Sequence, residues 1–184
     1  MKKEMVELLQ EKKVDYLEKE NELTDVFRKV EMFWQSMVLP FVIDDTLLRL
    51  QCEIRTKIHG VENTLFDIME NIAEIHRVTS EENIKIPKVP FRELFKITHQ
   101  GITSCEIAIS GIKEMLHVLV LYEEQIDSMF GTLGVVGLLK ERIQAFYREC
   151  YEMIGLLDKY EHYIKEIEKL NIGLEQEKNR FVTK

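Results

Sequence analysis

The sequence predicts an all-α fold: an elongated, antiparallel, up-down-up-down four-helix bundle with heptad (coiled-coil-like) packing. Over long stretches the apolar residues recur at alternating steps of three and four, which is typical of helices packed lengthwise. Only 8 Gly and 3 Pro occur in 184 residues, so few positions interrupt a helix. Hydrophobic residues make up 45% of the chain and charged residues 32%, as in folded domains. We therefore expect one helical-bundle domain over residues 1–184.

The first two helices are predicted at residues 3–38 and 45–79. Pro40 lacks a backbone donor and disfavours helix at the residue before it, so the chain turns there. Gly60 lies inside the second helix and indicates a bend or a close helix contact. The apolar positions of the first helix are clearest at Leu23, Phe27, Val30, Trp34 and Met37. Those of the second are Leu47, Leu50, Ile54, Ile58, Val61, Leu65, Ile68, Ile72 and Ile75.

The third helix, predicted at residues 90–130, is the most apolar segment. Pro90 suits a first helical turn, and Glu93 complements the helix dipole there. The main stripe is Phe91, Phe95, Thr98, Ile102, Cys105, Ile109, Ile112, Leu116, Leu119, Glu123, Ile126 and Phe130. A second set widens it: Ile97, Ala108, Met115, Val118, Val120 and Leu121. A stripe this wide predicts that the helix is covered on more than one side.

The fourth helix, predicted at residues 134–178, has the most regular spacing. Its positions are Val136, Leu139, Ile143, Phe146, Cys150, Met153, Leu157, Tyr160, Ile164, Ile167, Asn171 and Leu174. Gly173 and the polar run that follows predict fraying towards the end. The short connections after helices 1 and 3 favour antiparallel neighbours.

Charge and cysteine content restrict the class of protein. A net charge of −8 argues against a duplex-binding surface, which needs clustered Lys and Arg. No apolar run is long enough to span a bilayer. An odd number of cysteines without paired spacing predicts a reducing, cytoplasmic location. We expect Cys52, Cys105 and Cys150 to be buried as small apolar side chains.

The connections after helices 1 and 3 are unusually apolar for segments that normally face water. In the predicted topology they share one end of the bundle. Either they fold over and seal that end, or they form a patch for a protein partner or for self-association. The candidate partner-binding residues are Met37, Val38, Leu39, Phe41, Val42, Phe130, Leu133 and Val135.

Few residues have the spacing that metal or acid–base chemistry requires. A di-metal bundle needs two Glu-x-x-His strings projecting inward, and only Glu114 and His117 form one. We therefore predict no metal and no cofactor. Glu123 and Arg142 are expected to form a structural ion pair, and Asn171 is expected to fix the helix register as a buried polar group.

One segment of the third helix indicates a different function. In Arg92-Glu-Leu-Phe-Lys-Ile-Thr-His99 an arginine is followed by a histidine on the same flank, two turns on. This spacing resembles the Arg-to-His motif of HEPN ribonucleases, small helical bundles whose active site is completed by dimerisation. The resemblance implies RNA as substrate, with Arg92 stabilising phosphate charge and His99 acting as general acid or base.

The sequence thus favours a non-enzymatic helical protein–protein interaction module, such as an adaptor, a chaperone-like protein or a regulatory subunit. It acts through its surface and an apolar bundle end. The alternative is an HEPN-like ribonuclease, a toxin or defence component, that uses Arg92 and His99. The second alternative is a small-molecule sensor with a cavity beside the third helix.

Overall fold

The computed structural model describes the backbone of residues 2–37, 45–79, 89–130 and 134–182, and the side chains of 6–32, 46–79, 89–129 and 137–182. Within these ranges the chain forms four α-helices and no strand: α1 (Lys2–Met37), α2 (Asp45–Val78), α3 (Phe91–Phe130) and α4 (Gly134–Val182). The predicted all-α class with four helices is confirmed. Among the described helices, none combines the length and the apolar character that a membrane crossing requires.

The helix ends follow from local chemistry. At the start of α3, the amides of Glu93 and Leu94 both donate to the Pro90 carbonyl, at 3.0 and 3.1 Å. At the end of α2, the Thr79 hydroxyl donates to the Ile75 carbonyl at 2.6 Å. The helix α4 continues to Val182, past the predicted end at residue 178. The polar run after Gly173 contains mainly Glu, Gln, Lys and Arg, all good helix formers, so polarity was a poor signal for fraying.

The contacts divide the chain into two compact units. Unit 1 comprises Met1–Leu9, Glu62–Ile109 and Gly155–Lys184, and unit 2 comprises Gln10–Val61 and Ser110–Ile154. Each unit takes a segment from each of the four helices and has its own apolar core. In unit 2, aromatic side chains from different helices meet in that core: Tyr16 lies 5.5 Å from Phe146, and Phe27 lies 5.0 Å from Tyr122 between ring centroids.

The 3–4 spacing predicted most core positions correctly. Every apolar position predicted for α2 is buried, as are the positions predicted for α4 from Leu139 to Asn171. The stripe predicted for the start of α3 was wrong, because Leu94 is buried there and Phe95 is 37% exposed. Leu94 lies four residues before the buried Thr98, and Phe95 lies three residues before it. Both positions fit the 3–4 spacing, so periodicity alone does not distinguish them. Val120 and Leu121, from the second predicted set, are both exposed.

A buried polar cluster lies in the core of unit 2. The side-chain amide of Gln51 donates to the Tyr122 hydroxyl at 3.0 Å and to the Phe27 carbonyl at 3.4 Å. Gln51 is 3% exposed and Tyr122 is completely buried. The hydrogen bond between them therefore gives each of these buried polar groups a partner in an apolar environment.

In unit 1 a glycine allows α2 and α3 to approach closely. The side-chain amide of Asn71, on α2, donates to the Ile97 carbonyl of α3 at 2.8 Å. A Cβ atom at Gly101 would lie well inside 3.0 Å of the Asn71 Oδ1 atom and 2.9 Å from the Ile164 Cδ1 atom. At Gly60, where the sequence indicates either a bend or a close helix contact, a Cβ would meet no described atom within 4 Å, which argues against the close contact.

Two further predictions are corrected. Cys105 and Cys150 are buried, but Cys52 is exposed because it lies beside the buried stripe of α2 rather than on it. Arg142 does not pair with Glu123; it donates to the Asp25 carboxylate of α1 at 2.6 Å. The face of α4 that carries Arg142 is turned towards α1.

Candidate functional site

The apolar bundle end falls outside the described residues. Its candidate partner-binding residues are Met37, Val38, Leu39, Phe41, Val42, Phe130, Leu133 and Val135, and the side chain of none of them is described. Whether these residues seal the bundle or form a patch therefore stays a prediction.

Arg92 and His99 both lie exposed on α3, in unit 1. The imidazole of His99 stacks against the Phe95 ring, with centroids 5.9 Å apart and planes within 5°. Phe95 in turn stacks on Phe91 at 6.1 Å. At about 1.5 Å per residue, Arg92 and His99 are separated by about 10 Å along the helix. The ring stack holds the His99 imidazole beside Phe95 on the surface of α3.

The Glu114 and His117 side chains point to different neighbours. Glu114 pairs with Lys57 of α2 at 3.2 Å. His117 instead lies at the edge of a cavity between α3 and α4. The two side chains therefore do not form a common ligand set.

That cavity, which we call the α3–α4 groove, is a largely apolar concavity in unit 2. It has a volume of about 340 Å³. On each helix every lining residue has another lining residue three or four positions away, which places them on one face. The lining comprises Lys113, Leu116, His117 and Val120 of α3 and Tyr147, Tyr151 and Ile154 of α4.

The α3–α4 groove has a buried floor and exposed apolar walls. Leu116 and Tyr147 are 6% and 9% exposed and form the floor. Above them, Val120 is 42% exposed and Tyr151 is 63% exposed. An exposed aromatic ring and a β-branched side chain over a packed apolar floor are features of docking surfaces.

The electrostatics of the α3–α4 groove are asymmetric. Lys113 and His117 lie one helical turn apart on its α3 rim, and neither forms an ion pair or hydrogen bond with another described residue. The Tyr147 hydroxyl is shielded from solvent and lies beside the Glu123 carboxylate. Burial, and then the negative charge of nearby Glu123, raises the pKa of Tyr147, so the hydroxyl keeps its proton.

A second cavity, of about 320 Å³, lies between α2 and α3 in unit 1. Its lining is polar and acidic: Asp67, Glu70, Asn71 and Glu74 with Ile97, Gln100 and Ser104. Arg77 donates to Glu74 at 2.6 and 2.9 Å, and this contact lowers the pKa of the Glu74 carboxyl. This cavity offers little apolar surface to a partner, in contrast to the α3–α4 groove.

Comparison of the chain with protein-family models, curated proteins and solved structures finds no match.

Sequence reasoning did not identify the α3–α4 groove. The 3–4 pattern places Val120 in the widened core stripe of the third helix and does not include Tyr147 or Tyr151. The sequence does contain an indication of the α3–α4 groove. Val120 and Tyr151 are an apolar and an aromatic residue that lie beside the 3–4 stripe of their helices and not on it. Residues in that position are exposed unless a further element covers them.

Proposed function

We propose that this protein is a non-enzymatic helical interaction module that holds apolar side chains of a protein partner in the α3–α4 groove. The observation that carries the proposal is the pairing of a buried floor, Leu116 and Tyr147, with the exposed walls, Val120 and Tyr151. Adaptors, chaperone-like proteins and regulatory subunits all act through surfaces of this kind.

The proposed scaffold is an antiparallel bundle with heptad packing. Ion pairs within unit 2 support this arrangement. Asp25 of α1 pairs with Arg142 of α4, whereas Lys12, earlier in α1, pairs with Glu149 and Glu152, later in α4. Contacts that run in opposite directions along two helices are those of antiparallel neighbours. The 3–4 spacing of the buried residues supports lengthwise packing.

The polar groups of the α3–α4 groove favour recognition over chemistry. Lys113 and His117 are exposed on its rim, where water solvates them. Acid–base catalysis instead requires groups that converge on a reacting atom, in a site that excludes water. A rim charge such as that of Lys113 contributes to which partner binds and in which orientation.

Affinity capture with matched surface variants tests the proposal. The purified protein, Val120→Glu, Tyr151→Glu and Leu138→Glu are immobilised separately and exposed to lysate of the source cells. Leu138 is the control, because it is 66% exposed in unit 2 but lies outside the α3–α4 groove. All three substitutions add one charge at an exposed position, so circular dichroism should show equal helicity.

We expect the same proteins to be retained by the wild type and by Leu138→Glu, and to be lost from both groove variants. Burying one valine or tyrosine side chain contributes roughly 1.5–3 kcal/mol. A glutamate in its place should therefore weaken binding by about tenfold to a hundredfold. Equal retention by all four proteins would rule out the α3–α4 groove as the docking surface.

A further inference from the structure

The buried stripe of α4 continues past the point where the other described helices of unit 1 cover it. Ile167 and Asn171 lie on this stripe and are only 2% and 5% exposed. At the next three positions of the same 3–4 spacing the exposure rises: Leu174 is 37% exposed, Lys178 is exposed, and Phe181 is 82% exposed. All five positions belong to one continuous helix. The surface that packs inside unit 1 is therefore repeated, without cover from a described element, towards the end of α4.

Four residues form this surface, which we call the α4 end face: Leu170, Leu174, Lys178 and Phe181. Successive members are three or four positions apart, so they lie on one side of the helix. Leu170 is 44% exposed, and Phe181 is more exposed than any other large apolar side chain that the structure describes. Lys178 adds a long apolar stem, and its ammonium group can extend to the edge of the face. Apolar residues grouped and exposed in this way are typical of an interface.

The charges on the two edges of the α4 end face have the same order. Glu175 and Lys178 lie on one edge, and Glu177 and Arg180 lie on the other, so on each edge the acid precedes the base by three residues. When two copies of such a helix pack antiparallel about a twofold axis, each edge faces the same edge of the other copy. The acid of one copy then meets the base of the other. In a parallel pair the opposite edges would meet at the same level, and acid would face acid.

We propose that the α4 end face binds the same face of a second copy of this chain, in an antiparallel arrangement. The twofold axis lies midway between Leu174 and Phe181 along the helix. Leu174 of each copy therefore packs against Phe181 of the other. On one edge, Lys178 of each copy meets Glu175 of the other. The contact does not use the α3–α4 groove, so it goes beyond the proposed function.

The length of the α4 end face determines how strong the contact is. From Leu170 to Phe181 it extends for three turns, or about 17 Å. A contact of this length is smaller than the standard interface of a stable complex, so we expect a concentration-dependent dimer with a Kd in the micromolar to millimolar range. Because the dimer is symmetric, each substitution acts once in each copy, and its effect on Kd is the square of its effect at one site.

Sedimentation equilibrium of the purified chain tests the proposal, at protein concentrations from about 5 μM to about 0.5 mM. The variants Leu174→Glu and Phe181→Glu each place a charge on the α4 end face. The control is Ile107→Glu, because Ile107 is 56% exposed in unit 1 but lies on α3. Val120→Glu tests whether the α3–α4 groove contributes. Circular dichroism should show equal helicity for all of them, since each position is exposed and glutamate is a good helix former.

We expect the mean mass of the wild type, Ile107→Glu and Val120→Glu to increase with concentration from 21.8 kDa, the mass of one chain, towards twice that value. Leu174→Glu and Phe181→Glu should raise Kd by about a hundredfold, since each site contributes about tenfold. A wild type that stays at 21.8 kDa throughout, or equal association by all five proteins, would overturn the proposal. Loss of association in Val120→Glu alone would also overturn it, because the dimer would then form through the α3–α4 groove.

Charge reversal tests the antiparallel arrangement. Lys178→Glu should raise Kd by about tenfold, because attraction to Glu175 of the second copy becomes repulsion at two symmetric sites. The double variant Glu175→Lys/Lys178→Glu restores opposite charges and should recover most of the lost affinity. Lys159→Glu, at an exposed position of α4 in unit 1, is the control and should associate like the wild type. A double variant that associates no better than Lys178→Glu would overturn the antiparallel arrangement.

Discussion

Substitution of Gly101 by alanine should destabilise the protein, although alanine is the better helix former. In an exposed helix interior the change from glycine to alanine gains about 1 kcal/mol. At Gly101 the new methyl group would collide with the Asn71 side chain and with the Ile164 Cδ1 atom, 2.9 Å away. Asn71 is 8% exposed and its amide is bonded to the Ile97 carbonyl, so moving the side chain away from Gly101, towards the cavity that it lines, breaks or strains this bond.

The magnitude follows from the two ways in which the collision can be relieved. Displacing Asn71 breaks its 2.8 Å hydrogen bond and leaves a buried amide unsatisfied, at about 1–3 kcal/mol. Moving α2 away from α3 strains a packed core, also at about 1–3 kcal/mol. After the propensity gain of about 1 kcal/mol is subtracted, we expect Gly101→Ala to lower the free energy of unfolding by up to about 2 kcal/mol.

Urea denaturation followed by circular dichroism measures this change. Gly155→Ala and Gly173→Ala are the matched controls, since a Cβ at either position meets no described atom within 4 Å. Both lie in α4 and should raise the free energy of unfolding by up to about 1 kcal/mol.

A double-mutant cycle identifies the contact responsible. In an Asn71→Ala background, Gly101→Ala should be less destabilising by at least about 1 kcal/mol, because the colliding amide has been removed. Stabilisation by Gly101→Ala equal to that of the controls, or purely additive effects in the cycle, would show that α2 and α3 do not approach closely at this point.

Three further results are expected. Cys52 should react with a thiol reagent in the native protein, whereas Cys105 and Cys150 should react only after unfolding; more than one fast thiol would contradict their burial. Tyr122→Phe should cost about 1–2 kcal/mol in a urea melt, because Gln51 loses its 3.0 Å acceptor; no loss would mean that the bond is not formed. Burial raises the pKa of Cys105 to about 12 and also raises that of Tyr122. Unfolding therefore releases protons above the normal thiol value of about 8.5, and the melting temperature should fall from pH 8 to pH 11 rather than stay constant.

The periodicity of the sequence was sufficient to predict the buried residues of α2 and most of those of α4. Ile54, Ile58 and Ile72 repeat at steps that only a helix brings to one face, and burial of that face is the largest favourable contribution to folding. Boundaries were predictable where backbone chemistry is restrictive, as at Pro90.

Features that depend on the neighbouring helix were not predictable from one helix alone. The exposure of Phe95, the pairing of Arg142 with Asp25 and the close approach at Gly101 all require knowledge of which face meets which partner. The α3–α4 groove also depends on the neighbouring helices, because it exists only where no described element covers Val120. Heptad spacing identifies the buried stripe but says little about residues at its edges.

The clearest test of the docking role is photocrosslinking at Tyr151 in living cells. A photoreactive phenylalanine derivative replaces Tyr151 in one strain and Leu138 in another, since both side chains are widely exposed in unit 2. If the α3–α4 groove holds a protein partner, the derivative at position 151 should yield a discrete crosslinked species that is lost in the Val120→Glu background. No adduct at position 151, or the same adduct from both positions, would contradict docking through this groove.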